Sequence, residues 1–180
     1  MAVRRSASSR SAVPTGGNGG PNVTGVGGTT PNIVYNSSAM NVQSMVDRFK
    51  ALATFRYAVS SATHTGSSVP GPGDGWGVPA PGATTLSPTT CSARSIVHYN
   101  TAGTDIQISN ATGCGILLVE GDLVMHGNFS WYGAIVVTGS VTFTGGGNKN
   151  VTGAILSGGS VDADLVGGNA VVVYCSSAVQ

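Results

Sequence analysis

Ile116-Leu-Leu-Val-Glu-Gly-Asp-Leu-Val-Met-His-Gly127 is a stretch that the chain uses more than once. It returns as Ala134-Ile-Val-Val-Thr-Gly-Ser-Val-Thr-Phe-Thr-Gly145 and as Ala154-Ile-Leu-Ser-Gly-Gly-Ser-Val-Asp-Ala-Asp164, after 18 and then 20 residues. A period of about 20 residues, rich in strand formers and glycine, is typical of a solenoid in which each repeat is one coil. The repeat therefore predicts a mainly β fold, a short right-handed parallel β-helix (β-solenoid) of about four rungs.

The residues after each glycine turn alternate between apolar and polar side chains. The apolar columns are Leu123, Val141, Val161 and Met125, Phe143, Ala163, with Ile106 and Ile108 in a weaker upstream copy. The columns between them are Gln107, Val124, Thr142, Asp162 and Ser109, His126, Thr144, Asp164. Because side chains alternate faces along a strand, we expect the first set to point into the solenoid and the second outward.

The strand before each glycine turn is apolar on both faces. Val97, Leu117, Ile135 and Ile155 form one column, and His98, Leu118, Val136 and Leu156 form the column beside it. A strand that is apolar on both faces is normally buried on both faces. The second column thus predicts an outer wall that another element of the chain or a partner must cover.

One amphipathic helix is predicted between Asn41 and Tyr57. Its apolar face consists of Val42, Met45, Val46, Phe49 and Leu52, which recur at helical spacing. Asn41 can cap the N-terminus by accepting a hydrogen bond from an amide of the first turn. We expect this helix to pack along the side of the solenoid. A membrane-surface helix is the weaker alternative, because Lys and Arg are scarcely enriched on its polar face.

The chain divides into four segments by composition. They are a flexible Gly/Ser/Pro-rich arm over 1–32, a short strand and the covering helix over 33–64, a Pro/Gly-rich connection over 65–94, and the β-solenoid over 95–180. Ile33–Tyr35 is the expected short strand, and Trp76 is the expected anchor of the connection onto the domain.

The three cysteines are Cys91, Cys114 and Cys175. Cys91 and Cys114 each precede a rung, and residues one rung apart lie ~4.8 Å from one another. They are candidate disulfide partners, which would suit an oxidising compartment. Buried free thiols remain an alternative, and Cys175 is either unpaired or the partner of one of the other two. The three cysteines lack the paired C-x-x-C spacing that is typical of a metal site.

Composition and spacing argue against several function classes. Only 8% of residues are charged and the formal net charge is +1, so there is no basic surface for nucleic acid. No stretch approaches the ~20 apolar residues of a membrane span. His64, His98 and His126 lack metal-ligand spacing, and Asp162 with Asp164 makes a thin cluster that is more typical of solvated surface than of calcium or catalytic carboxylates. We predict no enzymatic activity and no cofactor.

The centre of the chain contains the stretch Gly113-Cys-Gly-Ile-Leu-Leu-Val-Glu-Gly-Asp-Leu-Val-Met-His-Gly-Asn-Phe-Ser-Trp-Tyr-Gly-Ala-Ile-Val-Val-Thr-Gly139. This stretch resembles the C-terminal region of bacterial PilX-like, type IV pilus-associated proteins. Those proteins carry a pattern of the form G-I-L-V-V-D-G-D-L-x-x-x-G-N-F-x-W-x-G-L-I-I-V-x-G, and the likeness covers about residues 40 to 179. It implies a bacterial surface or pilus-assembly role without a known enzymatic activity. Family members usually begin with a hydrophobic pilin-like helix, which is missing here, so a truncated product, a processed fragment or a secreted relative is expected.

The function expected from these observations is a non-enzymatic extracellular or cell-surface structural or adhesive module. Its partners would be pilus components or further copies of itself, joined end to end through the strand edge at Val171 and Val173. An ice-binding β-solenoid is the alternative, which a flat outward ladder of threonines would favour. A carbohydrate-active β-helix enzyme is the third hypothesis, with the few carboxylates as its weakness.

Overall fold

The computed structural model describes residues 15–16, 20–21, 23–25, 41–58, 63–64, 76–81, 91–164 and 168–175. The strands are β1 (Thr15–Gly16), β2 (Gly20–Pro21), β3 (Val23–Gly25), β4 (Phe55–Ala58), β5 (Thr63–His64), β6 (Val78–Pro79), β7 (Cys91–Ala93), β8 (Ser95–Ser109), β9 (Thr112–His126), β10 (Phe129–Val137), β11 (Val141–Thr144), β12 (Gly147–Ser157), β13 (Val161–Asp164) and β14 (Gly168–Tyr174). Helix α1 (Val42–Phe49) continues into a 3₁₀ turn, Lys50–Leu52.

Successive coils stack in parallel and form a β-solenoid of about four turns, as the repeat predicts. The coils are β8, β9, β10 with β11, and β12 with β13. Their stacked segments form three walls. Wall A contains 112–114, 129–132, 149–152 and 170–173; wall B contains 96–99, 116–119, 134–137 and 154–157; wall C contains 106–109, 123–126, 141–144 and 161–164.

A partial coil lies at each end of the stack. At the first end, β4 pairs with β8 on wall B and β5 pairs with β8 on wall C. At the last end, the described strand β14 extends wall A, and β3 pairs in parallel with β14. The solenoid therefore begins before residue 95, which was the start predicted from composition. Part of the predicted arm over 1–32 is also strand rather than flexible chain, because a strand edge offers unpaired N–H and C=O groups.

The lumen of the solenoid is an apolar core. The fully buried side chains that fill it include Val97, Tyr99, Ile106, Ile108, Leu117, Val119, Leu123, Met125, Phe129, Trp131, Ile135, Val137, Val141, Phe143 and Val151. They occupy alternate positions of every coil, which confirms the inward columns expected from the repeat. Each fully buried side chain of this size contributes about 1.5–3 kcal/mol, so the lumen is the principal source of stability.

Trp76 fills the place that a wall A strand of the β8 coil would occupy. Its carbonyl accepts from the Cys114 N–H at 2.8 Å, and its buried ring lies 6.1 Å from both Tyr99 and Trp131. The flanking strand β6 pairs antiparallel with β7. The connection over 65–94 thus contains ordered structure, and Trp76 is the anchor that the sequence indicated.

Glycines with positive φ separate wall A from wall B. Gly115, Gly133 and Gly153 stack in one column with φ of 124°, 134° and 145°, which side-chain-bearing residues rarely adopt. A β-carbon on Gly133 would also collide with the Gly115 carbonyl one coil below. The column therefore requires glycine for both conformation and close stacking.

Helix α1 covers wall B, as the doubly apolar strand predicts. Val46 is fully buried with Leu118 and Val136, while Val42 and Met45 pack around them. Phe49 and Leu156 also contact this cluster. The Asn41 side chain accepts from the Ser44 N–H at 3.0 Å, so the expected N-cap is present. An isolated helix of this length is unstable in water, and it persists here because its apolar face is buried.

The helix is shorter than predicted. It ends at Phe49, and the 3₁₀ turn that follows has three residues per turn, which rotates Leu52 away from the wall. Leu52 is 66% exposed and does not belong to the covering face. The residues up to Tyr57 instead form β4, in which Phe55 and Tyr57 pack against the lumen and Arg56 is exposed. This two-residue alternation of aromatic side chains outweighs the helical spacing.

We predict that Val46→Ala lowers the free energy of unfolding by ~2 kcal/mol, because it removes two methyl groups from the buried contact between helix and wall. The matched substitution Leu52→Ala should change it by less than ~0.5 kcal/mol, because that side chain lies in solvent. Urea denaturation followed by circular dichroism measures both. Equal losses would contradict the assignment of these two residues to different environments.

Candidate functional site

Wall B changes from apolar to polar at its first end. The predicted wall residues Leu118 and Val136 are buried under the helix, and Leu156 is half-buried in the same cluster. His98 is also buried, but its Nε2 lies 2.8 Å from Oε1 of Glu120. The predicted column is therefore present, with a hydrogen-bonded histidine at its end rather than a fourth apolar contact.

Glu120 joins the solenoid to the end of the helix. Lys50 Nζ donates to Glu120 Oε2 at 3.2 Å and lies 2.7 Å from Asp47 Oδ1. Arg56 donates to the carbonyl oxygens of Lys50 and Ala51, which satisfies acceptors of the 3₁₀ turn. The cluster holds the C-terminal end of α1 and its 3₁₀ turn over wall B, at the point where the apolar contacts of the helix end.

The pKa of Glu120 is lowered in the folded protein. Partial burial acts to raise this pKa, but the hydrogen bonds from His98 and Lys50 favour the carboxylate and outweigh it. The same pairing raises the pKa of Lys50, mainly through Asp47 and then Glu120. The exposed pair Asp47–Lys50 contributes little to stability, so Glu120 is the residue on which the cluster depends.

A disulfide joins Cys91 to Cys114, and their Cα atoms are 5.8 Å apart. Of the pairings that the sequence left open, this is the one the structure contains. Cys91 begins β7 and Cys114 lies on wall A, so the bond fastens the β6–β7 hairpin over the gap that Trp76 fills. Cys175 is buried just beyond β14 and takes no part in the disulfide.

Among the outward residues of wall C, the Gln107 side chain donates to Ser109 Oγ at 3.4 Å. Val124, His126 and Thr142 are partly exposed, and Asp162 is exposed. The Asp162 side chain accepts from the adjacent Ala163 N–H at 2.8 Å. Within the described residues no group of three or more His, Cys, Asp or Glu side chains could hold a metal ion. Ser109, which the alternation places outward, is buried.

Two polar ladders at the corners of the coils were not anticipated. The Asn110 side chain accepts from the Asn128 N–H at 3.0 Å, and the Asn128 side chain accepts from the Asn148 N–H at 3.0 Å. At another corner Asp122 accepts from the Ser140 N–H. The repeated Gly-Asn pairs at 127–128 and 147–148 were the available sequence signal. These ladders satisfy turn amides between coils, which is a structural role.

Lys149 is the least expected residue of the lumen. It is fully buried in the column of Phe129 and Ala170, and its ammonium group donates to the carbonyl oxygens of Gly145 and Gly146, both at 2.7 Å. Burial lowers its pKa. The sequence alone did not show that turn carbonyls would receive the charge of this buried side chain.

The predicted assembly edge at Val171 and Val173 is not open. Strand β3 pairs with β14 over Val172–Tyr174, and Val173 is buried while Val171 is half-buried. A segment far away in sequence supplies the neighbouring strand, so the edge is covered within the chain, and its role in assembly stays a prediction. A three-residue pairing of this kind leaves no pattern that distinguishes it from linker.

No α-helix among the described residues is long and apolar enough to cross a membrane. A scan against protein-family models, a search of the curated proteins and a search of the solved structures each found no match for this chain. The interpretation of function therefore depends on the geometry described above.

Replacing both Cys91 and Cys114 by alanine should lower the free energy of unfolding by ~3 kcal/mol, because the disulfide closes a loop of about 23 residues. Denaturation with and without a thiol reductant measures this effect. The reductant should destabilise the natural protein and leave the double variant unchanged. Equal sensitivity of the two proteins would show that the reductant acts elsewhere.

Glu120→Gln should destabilise the protein at neutral pH and progressively less as the solution becomes acidic. Because the folded pKa of Glu120 is lowered, its favourable contribution is complete above the ordinary glutamate pKa of 4.5 and is lost as the pH falls below that value. Urea midpoints of both proteins across this range measure the difference. Asp105→Asn, at an exposed carboxylate, is the control and should match the natural protein at neutral pH.

Proposed function

We propose that this chain is a non-enzymatic structural or adhesive module of the extracellular space or of a bacterial cell surface, related to type IV pilus-associated proteins. The observation that carries the proposal is the disulfide between Cys91 and Cys114. Structural disulfides persist in oxidising environments and are rare in the cytosol of most organisms. The resemblance of residues 113–139 to PilX-like proteins supports the same location.

The form of the molecule supports a scaffold role. Its interior is filled by side chains, and the disulfide holds one coil to the hairpin beside it. Its outward surfaces are polar but little charged, which suits a rigid spacer that presents a surface. The outward column of wall C runs Gln107, Val124, Thr142 and Asp162, so it is not the threonine ladder that would favour ice binding.

We expect gold-labelled antibodies against the protein to bind intact cells that produce it naturally, at the cell surface or along pili. A thiol reagent applied under denaturing conditions should leave Cys91 and Cys114 unmodified until a reductant is added. A cytosolic protein used as a control should be labelled only after the cells are permeabilised. Labelling restricted to permeabilised cells, with both cysteines freely alkylated, would contradict the proposal. Turnover of a polysaccharide that Asp162→Ala abolishes would contradict its non-enzymatic part.

A further inference from the structure

The two ends of the solenoid carry complementary parts of a coil. Among the described residues the last coil consists of β14, which extends wall A. The first coil consists of β4 on wall B and β5 on wall C, and no described strand continues wall A beside them. Together these three strands would make one complete coil. Because every strand of the stack is parallel to its neighbours, the two partial coils also run in the same sense.

The lumen is incompletely covered at the same two ends. Phe55 and Tyr57 at the first end, and Ile155, Val161 and Ala163 at the last, pack against the core but are only partly buried. The corresponding residues of the coils between them are fully buried. Among the described residues β13 pairs with β11 alone, and 154–157 of β12 pair with β10 alone. Within the part of the chain that the structure describes, both ends thus present strand edges beside an apolar interior.

We propose that a second copy of this chain docks head to tail, so that β14 of one copy and β4 with β5 of the next form a shared coil. This inference rests on the proposed function and names the partner of the scaffold. The columns already established place Phe55 of one copy above Ile155 of the other, and Thr63 above Asp162. The apolar lumen and the backbone hydrogen bonds between stacked strands then continue across the junction. A head-to-tail contact does not close on itself, so it produces a filament.

Strand β3 is the cap that opposes this assembly. It lies on wall A one level beyond β14. When the second copy is docked, the level beyond the shared coil belongs to the β8 coil of that copy. Wall A of the β8 coil is filled by the Trp76 segment, whose carbonyl accepts from Cys114. The two cannot occupy the same place, so β3 must leave before a second copy docks. Only three residue pairs hold it, whereas seven pairs join β12 to β14.

Cysteine cross-linking tests the junction in the full-length chain with Cys175→Ser. Thr63→Cys and Asp162→Cys lie four coil spacings apart within one molecule, about 19 Å, but one spacing apart across the proposed junction. Val23→Pro with Thr24→Pro weakens the cap, because proline removes the N–H groups that a strand needs. Thr15→Pro, in β1, is the matched control, since β1 pairs with β2 and not with the solenoid.

We expect oxidation to give a ladder of dimers, trimers and longer species when the cap is weakened, at about tenfold lower protein concentration than with the cap intact or with Thr15→Pro. A folded, cap-weakened protein that stays monomeric would overturn the junction. A ladder that is equally strong with the cap intact would overturn the role of β3. Dimers from Thr63→Cys alone would show that two first ends meet each other, which would overturn the head-to-tail junction.

A second variant decides the matter if the proline substitutions prevent folding. Thr24→Cys with Val173→Cys pairs two positions in register and locks β3 onto β14 when oxidised. The locked protein should sediment as a monomer at concentrations at which its reduced form associates. Identical sedimentation of the two forms would contradict the cap. Failure of the junction in every arm would leave the test of surface location unaffected, because that test does not depend on assembly.

Discussion

The parallel register between coils is the constraint on which the rest of this structure depends. Because each residue lies directly above its equivalent in the coil below, the side-chain alternation of one coil is imposed on all of them. Apolar columns then meet in the lumen, where some fifteen large side chains are fully buried. The same register stacks glycines at positive φ and aligns the asparagine ladder. An insertion of one residue within a strand would reverse all these arrangements from that point onward.

Each wall of the solenoid is completed in a different way. Wall B is apolar on its outer face and is covered by α1, whose buried contact is formed by Val46 with Leu118 and Val136. Where the apolar contact ends, Glu120 binds Lys50 and His98. Among the described residues no strand forms wall A of the β8 coil, and Trp76 with the disulfide-bonded hairpin takes its place. Wall C remains partly exposed and polar. The covering elements all come from residues that precede the four main coils.

Much of the fold could be predicted because the repeat is long and its alternation is strict. The lumen columns, the second apolar wall and the N-cap at Asn41 follow from spacing. For the cysteines, spacing favoured Cys91 with Cys114 among alternatives that stayed open. The end of the helix could not be predicted, because Leu52 continues the helical period while Phe55 and Tyr57 begin a two-residue alternation. The place of Lys149 was not predicted, because its carbonyl partners depend on the shape of a turn. Composition alone also could not show that β14 at one end and β4 with β5 at the other are complementary parts of a coil.

The sequence by itself determined the β-solenoid, its inward and outward columns and the need for a cover on wall B, because these depend on the local period of side chains. Only the tertiary structure decided which segment supplies each missing part. Strand β3 covers β14, Trp76 replaces a strand of wall A, and β4 with β5 begins the stack. These contacts join residues far apart along the chain, through backbone hydrogen bonds that any amino acid except proline can donate. Such bonds leave almost no trace in the order of side chains.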